Sequence, residues 1–145
     1  MGLSQELQTG KAGEHLVCCD LIQQGYNVFL TDQGLPYDVV VDTDKGIRRI
    51  QVKTISKEQK DGYRFSLRTG KRAGRLIPVG SFDYVAFAFL DKRVVQYIPV
   101  DILATEKGML KQSIVFHSSQ NEFTDMRGKW GGKARSYIIG RFNNL

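Results

Sequence analysis

Only two of the 145 residues are cysteine, and they are neighbours, Cys18 and Cys19. Adjacent thiols within a helical pattern speak against a structural disulfide and against a zinc site, and are expected to be ordinary buried or half-buried side chains. Long apolar runs are missing too, and none approaches the roughly 20 residues that a membrane-spanning helix needs. The N-terminus lacks the basic-then-apolar layout of a secretory signal, so a cytoplasmic location is expected. Histidine is scarce, and His15 and His117 stand alone, as surface or core residues rather than ligands. No internal repeat, low-complexity tract or linker stands out. The length suits one domain with its own core and is too short for two.

What is present is charge, unevenly spread. Residues 1–42 hold one Lys and six acids, whereas residues 43–75 hold eleven Lys/Arg and three acids. Residues 76–110 are nearly neutral, and residues 111–145 turn basic again at +4. Clustered cations point to a polyanionic partner, with nucleic acid the leading candidate, against the alternative of a solvated basic face.

The element pattern is that of an α/β domain around a mixed sheet. Residues 5–24 read as a helix, with Leu16, Val17, Leu21 and Ile22 as its apolar stripe and Gly25 as its stop. Gly10 and Gly13 weaken its early turns but permit close backbone packing. Residues 26–30 read as a first strand. Residues 37–41 and 47–53 form a β-hairpin across an Asp/Gly-rich turn at 42–46. Further strands are expected at 63–67, 82–90, 93–98, 113–116 and 136–139, with Pro99 opening a short helix over 100–104.

The hairpin carries the chemistry. With the turn centred near position 44 or 45, residues whose numbers sum to about 89 face each other, which sets Asp38 opposite Gln51. Side chains alternate along a strand, so Gln51 and Lys53 share a face and Val52 points away. Glu14 shares a helix face with Val17, Cys18 and Leu21, so it faces the core and needs a partner. Carboxylates of Asp38 and Glu14 are the hard oxygen donors that Mg²⁺ prefers, and a nearby lysine can stabilise negative charge developing on a phosphoryl group. Next to this patch lies the basic, glycine-containing run 69–75. A second such loop, 127–133, includes Trp130, read equally well as a stacking residue or as an anchor for the tail. Tyr63 and Phe65 read as packing residues, and Gln33 and Gly34 as possible cleft neighbours.

Glu14, Pro36-x-Asp38 and Gln51-x-Lys53, in this order, resemble the PD-(D/E)XK nuclease superfamily. The flanking Gly25-Tyr26-Asn27-Val28, Phe82-Asp83-Tyr84-Val85-Ala86 and Ile98-Pro99 add to the likeness, which covers about residues 9–103. Within that superfamily the chain is most similar to small group I intron-encoded homing endonucleases, and archaeal Holliday-junction resolvases share the core. The resemblance implies a restriction-endonuclease-like fold, a mixed β-sheet flanked by helices, with a basic extension over 104–145. It implies Glu14, Asp38, Gln51 and Lys53 as catalytic residues. Mg²⁺, with Mn²⁺ able to substitute, would be held by Glu14, Asp38, Gln51 and the Val52 carbonyl. The partner it implies is double-stranded DNA, cut by a homodimer or homotetramer. DNA contacts are expected from Lys57, Lys60, Arg64, Arg68, Lys71, Arg72 and Arg75, and from Arg127, Lys129, Lys133 and Arg135. The departure is Gln51, where the family pattern has an acid. An amide oxygen can coordinate a cation but brings no charge, which leaves open a junction-specific nuclease and a non-cleaving DNA-binding protein.

Overall fold

The computed structural model describes residues 2–60, 62–67, 80–110, 113–119 and 122–125. The strand expected at 136–139 and the loops 69–75 and 127–133 lie outside the described residues. Helix α1 spans Gln5–Gln23. Ser4 caps it, its Oγ accepting the Leu7 N–H at 3.3 Å, and Glu6 places a carboxylate in the positive first turn. Gly25, at φ +95°, ends it. The Gly25 N–H donates to Ile22 O and the Tyr26 N–H to Leu21 O, the paired closing bonds of a Schellman motif. Gly13, Val17 and Leu21 are buried against the sheet at a spacing of four. Ile22, expected in the stripe, is 58% exposed. It lies about 100° round the helix from Leu21, beyond the narrow line of contact.

The remaining elements are β1 (Asn27–Leu30), β2 (Val39–Thr43), β3 (Gly46–Ile55), β4 (Tyr63–Ser66), β5 (Tyr84–Phe89), β6 (Val94–Pro99), α2 (Val100–Leu103), β7 (Ser113–Ser119) and β8 (Glu122–Asp125). Among the described residues they form a five-stranded sheet in the order β1-β2-β3-β5-β6 and a three-stranded sheet β4-β7-β8. The β3–β5 pairing is parallel and the others are antiparallel, so the larger sheet is mixed, as the sequence predicts.

Strand β5 shows how sequence builds both faces. Its Val85, Phe87 and Phe89 join Tyr63, Phe65 and Phe116 in one buried cluster. Its Ala86 and Ala88 face the other way, into a cluster with Val17 and Leu21 of α1. Large side chains fill the gap to the second sheet, with Phe65 meeting Phe87 and Phe89 edge-on at 5.0 and 5.3 Å between centroids. Small ones let the helix lie close. Strand β4 alternates buried and exposed, so Tyr63 and Phe65 are packing residues, as expected.

Candidate active site

Strand β3 has ten residues and β2 only five, and this mismatch creates the site. Their pairs, Val39 with Ile50 and Val40 with Arg49, sum to 89, the register read from the sequence. Beyond Ile50, where its pairing with β2 ends, β3 continues beside β5 to Ile55. Asp38 stands at that step. Its N–H donates to Ile50 O at 2.9 Å, and its carbonyl accepts the Thr31 N–H at 3.0 Å. Its carboxylate then completes the ladder in place of main chain: Oδ2 accepts the Val52 N–H at 2.8 Å and Gln51 Nε2 at 2.7 Å. Pro36, two residues earlier, has no N–H to donate, so the chain leaves the sheet there. Thr31 Oγ1 holds the departing segment by donating to Tyr37 O at 2.7 Å.

Helix α1 closes the opposite wall. Gly13 lies directly on the Thr54 side chain of β3, with no room for a methyl group. That contact delivers the next residue, Glu14, to the same cleft as Asp38. The cleft, about 490 Å³, is lined by Glu14, Asp38, Gln51, Val52, Lys53 and Thr54, with Thr9 and Gly10 of α1 and Ser56 at its margin. The four candidate catalytic residues thus meet, Glu14 and Asp38 included. Gln33 and Gly34 do not line it.

Desolvation governs the electrostatics. Burial pushes the Glu14 carboxyl above its ordinary value, and the Asp38 charge pushes it further. Burial raises Asp38 as well, against the Val52 N–H bond and the Lys53 charge, which both favour ionisation. Burial holds the Lys53 ammonium below the ordinary lysine range, with Asp38 opposing. Two acids and one base therefore sit in a region that disfavours charge. Among the described residues no three His, Cys, Asp or Glu side chains gather as a metal cluster. The oxygens that these residues carry are two carboxylates, the Gln51 amide oxygen and the Val52 carbonyl, all hard donors.

Some supporting residues were not singled out from sequence. Asp83, at the mouth of β5, accepts the Arg49 N–H at 2.7 Å and pairs with its guanidinium at 3.3 and 3.4 Å. Arg49 also lies 5.8 Å from the centre of the Tyr37 ring, beside Asp38 in the chain. A charge entering an otherwise apolar strand is the sequence signal that marks Asp83. Of the expected DNA contacts, Lys57, Lys60 and Arg64 are exposed. Arg68, Lys71, Arg72, Arg75, Arg127, Lys129, Lys133 and Arg135 lie outside the described residues.

Comparison with known proteins identifies the family. A family model described as PD-(D/E)XK endonuclease matches residues 4–126, and the chain belongs to that family. Its fold is restriction-endonuclease-like. The solved structure of a bacterial homing endonuclease, I-Ssp6803I, is similar at a TM-score of 0.65 and 17% identity, covering 95% of this chain and 88% of that one. No curated protein sequence matches the chain.

Proposed function

We propose that this endonuclease hydrolyses phosphodiester bonds of double-stranded DNA with a divalent cation, Mg²⁺ or Mn²⁺, as a site-specific homing enzyme. The observation that carries this reading is the convergence of Glu14, Asp38, Gln51, the Val52 carbonyl and Lys53 on one open cleft. Glu14, Asp38, Gln51 and Val52 are the residues that would hold the cation, an oxygen set suited to a hard ion. When bound, such an ion supplies Lewis-acid stabilisation of the phosphoryl charge. The chain's own groups do the rest. Asp38 is fixed by two donors, so its carboxylate is already oriented. Lys53 donates from the strand to the oxygen on which charge develops, and burial lowers its proton affinity from the ordinary lysine value. Water attacks phosphorus opposite the breaking P–O bond, and the departing oxygen takes up a proton. Lys57, Lys60 and Arg64, with the basic residues of 68–75 and the tail, would hold the duplex backbone. A homodimer or homotetramer would bring two clefts to the two strands. Likeness of fold to a homing endonuclease supports this specialisation.

The uncharged Gln51 favours a second reading, a DNA-binding protein of this fold that does not cut. Plasmid DNA incubated with purified protein and Mg²⁺, beside a chelator control, separates the two. Cleavage into discrete bands is expected, and Asp38→Ala or Lys53→Ala should slow it roughly a hundredfold or more. Both variants should still bind DNA, because affinity rests mainly on phosphate contacts elsewhere. Cleavage that survives both substitutions would dismiss the proposed site. Faster cutting of a four-way junction than of linear duplex would reassign the substrate.

A further inference from the structure

The Gln51 amide makes contacts that a metal-ligand role alone does not explain. Its Nε2 lies 2.7 Å from Asp38 Oδ2 and 3.4 Å from the Val52 carbonyl oxygen. Both neighbours are acceptors, so the NH₂ group must face them; an amide oxygen there would repel both. These two oxygens are also members of the proposed cation-binding set. The amide nitrogen therefore sits against them, while the one group of Gln51 that could coordinate, Oε1, is turned elsewhere. We propose that Gln51 is a two-position switch: its amide nitrogen holds Asp38 and the Val52 carbonyl when no cation is present, and the amide turns over to present its oxygen when one binds.

The inference rests on the cation-dependent reading of the cleft. Rotation about the terminal torsion of glutamine is broad and roughly two-fold, so exchange of N for O needs little rearrangement. Bonds to a charged acceptor are the stronger kind, so the metal-free arrangement is a defined state rather than a loose one. An ionised acid at position 51 could not act this way, because it has no proton to give Asp38 and would repel it. Glutamine thus trades a charge in the loaded site for order in the empty one, and Gln51 is a positioning residue as well as a ligand.

The test follows the side-chain NH₂ protons of Gln51 by NMR during titration of the metal-free protein with Mg²⁺ alone, without DNA. In metal-free protein these protons should exchange slowly with water. As Mg²⁺ saturates the site their exchange should accelerate by about tenfold or more, as expected on losing a bond to a charged acceptor. Saturation with the NH₂ protons still protected would overturn the switch and leave the cation site standing. No binding at all, by shift perturbation or by calorimetry, would remove both. The variant Gln51→Glu supplies a second readout. Its metal-free form should melt below wild type, and the rise in melting temperature on adding Mg²⁺ should exceed that of wild type. A metal-free Gln51→Glu protein as stable as wild type would also overturn the proposal.

Discussion

Asp38 and Glu14 divide the work of a charged site between bonding and burial. Asp38 is fixed by donors, from the Val52 main chain and the Gln51 side chain, whereas among the described residues no hydrogen bond reaches Glu14. Desolvation and the Asp38 charge leave Glu14 with a raised proton affinity in the fold. The sign of the consequence is fixed by linkage. A carboxyl whose folded pKa lies above its unfolded one binds protons more readily when folded, so it costs stability as pH rises through that interval. Above the interval the cost is constant, and below the ordinary glutamate value it vanishes. Metal-free Glu14→Gln is therefore expected to melt higher than wild type at neutral pH, with the difference closing as pH falls to the ordinary glutamate range. Melting curves across that range check it. Equal melting at neutral pH would mean that the cleft is better solvated than its geometry implies. The same variant should lose cleavage, since it removes a proposed cation ligand.

Between elements, the distance from α1 to β3 decides whether the site exists. Gly13 sets it, because an added Cβ would lie 2.7 Å from Thr54 Cβ and closer still to its outer atoms. Gly13→Ala should cost about 1–3 kcal/mol as overpacking and should lower cleavage by displacing Glu14. Pairing it with Thr54→Ala should recover only part of the loss, since the Thr54 Cβ position remains. Denaturant unfolding of both singles and the double gives the coupling, and simple additivity would show that the two residues do not meet. On the other face of the sheet, Phe87 stands 5.0 Å, centroid to centroid, from both Phe65 and Phe116. Phe87→Ala should cost about 3–5 kcal/mol. Because Phe87 is the register partner of Lys53, cleavage should fall by more than the folded fraction alone accounts for.

Along the whole chain, charge is segregated: the acidic N-terminal third carries Glu14 and Asp38, and the basic block that follows carries the cations proposed to hold the duplex. Lys57 and Lys60 are exposed just past the end of β3, within a few residues of Lys53. Each phosphate contact releases counterions on binding. Lys57→Ala and Lys60→Ala should each reduce the slope of log affinity against log salt by about one, with little change in sequence preference. DNA-binding isotherms at several salt concentrations check this. An unchanged slope would place the duplex on another surface.

The periodic features were legible in the residues themselves. Helix α1 and the hairpin register follow from local patterns, because backbone geometry repeats every 3.6 or every two residues. The spacing of Glu14, Asp38, Gln51 and Lys53 marked a candidate site for the same reason, as three of the four belong to one hairpin segment. Less could be read where partners are distant in the chain. Arg49 and Asp83 are 34 residues apart, and no periodicity links them. The shorter β2, the carboxylate that finishes its ladder, and the glycine that seats Glu14 beside β3 depend on how elements stack in space. So does the outward turn of Ile22, since hydrophobicity says that a side chain can be buried but not whether a neighbour arrives to bury it. Local sequence determined which chemical groups the protein carries and on which elements. Tertiary packing alone decided that they share one desolvated cleft, because only the meeting of helix and sheet excludes water from the charges between them.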